Sequence, residues 1–206
     1  GDVHKQIKSL DNKKSAGCDG LESKFIKSAS ADLSETLAVI FNMCTDNEIF
    51  PGDMKKADIT PLLKSKDSMF KENYGSVNVL PIVSKIFERL LSDQILCFFM
   101  DKLSASVSAY RKGYSCQHVL LHLTEFWRQA LDNGKYLATV TMDLSKAFDC
   151  MPHGLLIAKL HAYGFSANAC NMVMSYLANR CQRVKTMGVC SSWSIVNRGV
   201  PQGSVL

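Results

Sequence analysis

The stretch that most constrains this chain is Thr139-Val-Thr-Met-Asp-Leu-Ser-Lys-Ala-Phe-Asp149, where an apolar run ends in Asp143 and a polar turn leads to Phe148 and Asp149. Tyr136 to Met142 is short, rich in β-branched and aromatic residues and preceded by Asn133-Gly134, which is the pattern of a buried β-strand. Asp143 then stands at the strand tip. A buried carboxylate is costly unless a cation or donor meets it, so Asp143 is a candidate metal ligand. An aspartate that merely ends the strand and caps the next turn has the same pattern, and these residues alone leave both readings open.

Around that strand, 206 residues with 47% apolar content are enough for one large domain or two small ones with a substantial core. The formal charge of +5 suits a polyanionic partner but is too common to identify one. Eight cysteines are scattered with no C-x-x-C pair, which argues against a zinc ribbon or a disulfide scaffold and for reduced, packed thiols. Gly1-Asp-Val-His-Lys lacks an apolar signal core, and no apolar run approaches the length of a membrane span. The expectation is a soluble intracellular protein of the nucleus or cytoplasm with no membrane partner.

Taken in order, Lys5 to Lys14 is basic and polar and leads into the glycine-bracketed turn Ser15-Ala-Gly-Cys-Asp-Gly20. Leu33, Leu37, Ile40, Phe41 and Cys44 recur at helical spacing before Pro51-Gly52 stops the run. Lys55 to Lys64 and the return from Asn73 to Leu80 form a candidate hairpin whose tip carries Lys64 and Lys66. Pro81 to Met100 and Gln117 to Asn133 read as helices, the latter with Val119, Leu120, Leu123, Phe126, Trp127, Ala130 and Leu131 facing inward. His118 and His122 share a helical face, but no third ligand accompanies them, so zinc is not indicated. Pro152 to Tyr163 and Ser166 to Asn179 read as further helices, and Arg180 to Val189 with Trp193 to Arg198 as a hairpin carrying Arg183 and Lys185. Between these, Tyr110-Arg-Lys-Gly-Tyr114 interleaves cations and aromatics in a way suited to phosphate contact and base stacking.

Seven blocks in this order carry a resemblance. They are Ser15-Ala-Gly-Cys-Asp-Gly20, Ile59-Thr-Pro-Leu-Leu-Lys64, Asn73-Tyr74 with Leu80-Pro-Ile-Val-Ser-Lys-Ile-Phe-Glu-Arg-Leu-Leu91, Tyr110-Arg-Lys-Gly113, Gln117-His118, Asp143-Leu-Ser-Lys-Ala-Phe-Asp149 with His153, and Gly199-Val-Pro-Gln-Gly-Ser204. Together they resemble the reverse transcriptase domain of LINE-type non-LTR retrotransposons. The resemblance implies an α+β right-hand polymerase fold. Residues 1–135 would be helical fingers with a basic β-hairpin, and 136–206 an incomplete palm with an antiparallel sheet. The parent protein would copy RNA into DNA, with RNA template, DNA primer or target and dNTP as partners.

The same resemblance implies the site. Asp143 would bind two Mg2+ ions, with the backbone carbonyl of Leu144 completing one shell, because phosphoryl transfer is served by hard cations on carboxylates. Phe148 would lie under the sugar and exclude a 2′-hydroxyl, Gln202 and Gly203 would line the incoming nucleotide, and Lys64 and Lys66 would approach its triphosphate. Arg111 and Lys112 would contact template. Asp149 reads as a helix cap or ion-pair partner. Gly75 stands where the family usually has arginine, and Leu206 precedes the hairpin that supplies the remaining metal-binding aspartates. The 206 residues alone are therefore expected to be inactive, Mg2+ is not expected to bind them stably, and a remnant binding nucleic acid or protein without catalysis is the alternative reading.

Overall fold

The computed structural model describes residues 1–12, 15–64, 67–111, 113–144 and 146–206. Helices in chain order are α1 (Asp2–Lys8), α2 (Ser23–Ser28), α3 (Ser30–Asp46), α4 (Ile82–Phe99), α5 (Cys116–Asp132), α6 (Ala147–Cys150), α7 (His153–Ala162) and α8 (Ala167–Leu177). The strands are β1 (Lys56–Leu63), β2 (Tyr74–Val79), β3 (Arg180–Thr186), β4 (Val189–Cys190) and β5 (Ser194–Val196). The chain is therefore mixed α and β, and it divides into two units, Gly1–Leu96 with Lys146–Leu206, and Cys97–Ser145. Among the described residues no helix is long and apolar enough to cross a membrane.

In the first unit the helical spacing read from the sequence becomes packing. Leu37 and Phe41 of α3, Ile82, Ile86 and Phe87 of α4, and Met172, Tyr176 and Leu177 of α8 form one buried cluster with Phe50. Its centre is aromatic: Phe87 stacks on Phe41 at 4.6 Å and on Phe50 at 5.3 Å, while Tyr176 meets Phe50 edge-on at 5.0 Å. Val3 and Ile7 of α1 join the same cluster, although the basic sequence around them gives no strong helical signal. Ile40, expected inside, is exposed at the margin of the buried stripe.

The sheet runs in the order β2-β1-β3-β4, with β5 also on β3. β1 and β2 form the expected hairpin, in register from Asp58 opposite Val79 to Leu63 opposite Tyr74. β3 pairs with β1 in parallel, Lys56 opposite Cys181 through Ile59 opposite Val184, which joins the strands of residues 136–206 to the hairpin. β4 and β5 are antiparallel to β3. Pro61 lies beyond the stretch of β1 that β3 covers, where a missing N–H is tolerated at a free edge.

The second unit corrects two expectations. Residues 135–144 form neither strand nor helix, and Tyr136, Val140 and Met142 are more than four-fifths exposed instead of lying in a buried strand. A strand is stable only with a ladder partner, and among the described residues of this unit the regular elements are α5 and the end of α4. α5 forms at the expected place, but Leu120, Leu121, Phe126 and Leu131 are exposed because nothing described in its own unit covers that face. Helical period predicts a stripe; only a partner surface makes it a core. Among the thiols Cys170 is buried, whereas Cys97 and Cys116 of the second unit and Cys150 and Cys190 of the first, expected to be packed, are exposed.

Candidate functional site

The best-defined geometry surrounds Gly199-Val-Pro-Gln-Gly203, which crosses the first unit between α6 and β2. Gly199 adopts φ +77°, a region that favours glycine, and a Cβ there would lie 2.5 Å from the Phe148 carbonyl oxygen. This close approach lets the Gly199 N–H donate to the Met151 carbonyl at 2.8 Å and the Val200 N–H to the Phe148 carbonyl at 2.8 Å. His153 Nε2 donates to the Gly199 carbonyl at 2.7 Å, giving this residue of the sequence blocks a positional role. Phe148, Gln202 and Gly203 are thus held on one continuous hydrogen-bonded frame. Phe148 itself is partly exposed.

The other side of the turn rests on the hairpin. Asn78 of β2 donates to the Gln202 carbonyl through its backbone N–H at 2.9 Å and through Nδ2 at 3.0 Å. A cavity of ≈ 230 Å³ opens beside it, lined by Ser76, Asn78, Asp149, Arg198, Val200 and Pro201 among others. Asp149 lies within α6 and borders this cavity.

Lys64 follows β1 at the hairpin tip, its N–H donating to the Asn73 carbonyl at 2.7 Å. Its side chain lies across Gly75, so that a Cβ at residue 75 would collide with the Lys64 Cε. The position at which the family usually carries arginine is here covered by a lysine from the facing strand. Lys66 lies outside the described residues.

At the base of the hairpin Asp58 is buried, and its Oδ1 accepts from Arg183 Nε at 2.7 Å. Lys185 Nζ stands 3.7 Å from Oδ2, and the Arg183 guanidinium lies 4.6 Å over the Trp193 ring. The bond to Asp58 raises the Arg183 pKa further, so this arginine is fixed as a cation. Sequence reading placed Arg183 and Lys185 on a basic hairpin; the fold spends part of their charge on an internal carboxylate.

In the second unit, Asp143 and Leu144 are exposed in the segment following Met142. Arg111 Nη1 donates to the carbonyls of Ser104 at 3.3 Å and Val107 at 3.1 Å, and its guanidinium stacks 4.9 Å from Tyr114. It therefore braces its own loop as well as carrying charge. Lys112 lies outside the described residues. Among the described residues no group of three or more His, Cys, Asp or Glu side chains is gathered to hold a metal ion. Asp143 and the Leu144 carbonyl are nevertheless hard oxygen donors of the kind Mg2+ takes, adjacent in sequence and open to solvent, so their chemistry fits a shared shell completed by other oxygens.

Asn78, Glu88 and Asp58 are among the buried polar residues that sequence reading missed. Glu88 sits in α4, fully buried, with Oε1 accepting from Ser84 Oγ at 2.8 Å and Oε2 accepting from the Val205 N–H at 2.8 Å. Burial pushes its pKa up, against the opposing effect of these bonds. Its sequence neighbours, Phe87 and Arg89, give no sign of this; the one available hint is Ser84 four residues earlier on the same face.

Comparison with known proteins defines the class. Residues 62–206 match the reverse transcriptase (RNA-dependent DNA polymerase) family, and the chain belongs to that family. Its relatives come from mobile elements. It is 31% identical to "Probable RNA-directed DNA polymerase from transposon BS" of Drosophila melanogaster over 100% of its own length, and 30% identical to "RNA-directed DNA polymerase from mobile element jockey" of the same species, also over 100%. A jockey polymerase of Drosophila funebris is 28% identical over the whole chain. The chain spans 23% of the length of each of these three relatives. These matches bear out the resemblance carried by the seven ordered blocks.

Proposed function

We propose that this chain is the fingers and the beginning of the palm of a right-hand RNA-directed DNA polymerase, residues 1–135 and 136–206 respectively, in a protein that copies retrotransposon RNA into DNA. The observation that carries the reading is the frame joining Phe148, Gln202 and Gly203 to the lysine-bearing hairpin, through Val200 to Phe148 and Asn78 to Gln202. It supports a nucleotide site in which Gln202 offers an amide to sugar or base, Gly203 permits close approach, and Phe148 limits room for a 2′-hydroxyl. Lys64, with Lys66, supplies positive charge for the triphosphate. Its stem over Gly75 is consistent with that role and answers the missing arginine.

Asp143 and the Leu144 carbonyl would hold Mg2+, which when bound neutralises developing phosphate charge and activates a primer hydroxyl. Phe148, Gln202 and Gly203 would orient the nucleotide and its sugar, which is where positioning contributes to rate. Arg111 and Lys112 would contact RNA template, giving binding that weakens as salt rises. The test is sugar selection in the full reading frame containing this chain. Phe148→Val should admit ribonucleotides that the parent rejects, and unchanged discrimination would remove Phe148 from the site.

A further inference from the structure

The Pro201-Gln202-Gly203 turn is anchored by two side chains outside the roles proposed above. Asn78, 8% exposed, brings both its N–H and its Nδ2 to the single Gln202 carbonyl. Three residues beyond Gln202, the Val205 N–H is taken by Glu88, which is 0% exposed. Gly203 lies between these anchors and so close to β2 that a Cβ would fall 3.1 Å from the Asn78 carbonyl oxygen. An apolar side chain would fill the core of α4 without the cost of burying a carboxyl group. What Glu88 adds, besides its bond from Ser84, is an acceptor for the Val205 amide of the loop.

We propose that Asn78 and Glu88 are positioning residues that fix the backbone from the Gln202 carbonyl to the Val205 amide, and thereby aim the Gln202 side-chain amide at the incoming nucleotide. The proposal rests on the reading of Gln202 as a nucleotide contact. With the peptide planes around 202 and 205 already bonded, the loop is ordered before the nucleotide arrives and little ordering cost falls on binding. A contact to sugar or base is made alike in ground and transition states, so its loss appears in KM for dNTP more than in kcat.

The experiment uses the full reading frame containing this chain, with steady-state dNTP incorporation on a primed RNA template. Asn78→Ala and Glu88→Leu should each raise KM for dNTP about three- to tenfold, the scale of one lost hydrogen bond, with a smaller change in kcat. Glu88→Gln retains an oxygen for the Val205 amide and should return KM most of the way. The decisive arm combines Asn78→Ala with Gln202→Ala. If Asn78 acts through Gln202, the double variant is no worse than Gln202→Ala alone; if the effects multiply, Asn78 is merely structural and the proposal is overturned. Gln202→Ala with unchanged KM overturns the underlying site reading and the proposal with it. A raised KM for Gln202→Ala beside unchanged KM for Asn78→Ala and Glu88→Leu overturns the proposal alone. Asn78→Ala leaves α4 intact and carries the test if Glu88→Leu does not fold.

Discussion

Replacing Gly199 by alanine should break the frame on which the proposed nucleotide site depends. The residue has φ +77°, and the new Cβ would lie 2.5 Å from the Phe148 oxygen and 2.7 Å from the Asp149 oxygen, both backbone atoms that no side-chain rotation can move aside. A left-handed non-glycine residue costs about 1–3 kcal/mol. Overpacking against fixed atoms costs about 1–3 kcal/mol more, giving about 2–6 kcal/mol in all. For a chain of this size that is a drop in Tm on the order of 10 °C. The control is Gly154→Ala near the start of α7, where a Cβ meets nothing within 4 Å. There alanine removes glycine's backbone entropy and should stabilise by about 0.5–1 kcal/mol. Thermal melts and urea midpoints of the two variants would be measured side by side. Equal Tm values for Gly199→Ala and Gly154→Ala would refute the close approach between residues 199 and 148.

Other outcomes follow from the same structure. Phe87→Ala removes the ring stacked between Phe41 and Phe50 and should cost about 3–5 kcal/mol, read as a lower urea midpoint. Because the folded-state pKa of Glu88 is raised, its contribution is fully present below the ordinary glutamate value and is lost as pH rises through the raised one. The stability difference between the parent and Glu88→Gln should therefore shift against the parent across that window, and a flat difference would show that the carboxyl is not titrating from a buried site. Brief alkylation at mildly alkaline pH should label Cys97, Cys116, Cys150 and Cys190 before Cys170, as mapped by mass spectrometry, because exposure governs access.

Where periodicity coincided with burial, the sequence was legible. α3, α4 and α8 each carried an apolar stripe that the first unit buries, and Pro51-Gly52 marked the end of the first long helical region. The β1–β2 hairpin was readable because two short apolar runs flank a polar tip. Pattern failed where burial depends on a distant surface. Tyr136–Met142 has the composition of a buried strand yet is exposed, and α5 has a strong apolar face with nothing over it among the described residues of its own unit. Parallel pairing of β1 with β3 joins residues more than a hundred positions apart, and local pattern does not encode that choice. Among the residues of the proposed site, Phe148, Gln202 and Gly203 were singled out through ordered motifs, whereas Asn78 and Glu88 were not, because a buried polar residue declares itself only through the group it bonds.

The central claim is tested most directly at Asp143. The full reading frame containing this chain should incorporate dNTPs on a primed RNA template in a magnesium-dependent reaction, and Asp143→Asn, nearly isosteric but uncharged, should abolish that incorporation while leaving Tm unchanged. The 206 residues alone, offering one carboxylate of the set the family uses, should not incorporate. Full activity of the Asp143→Asn protein, or any template-dependent incorporation by the 206-residue chain alone, would contradict the account.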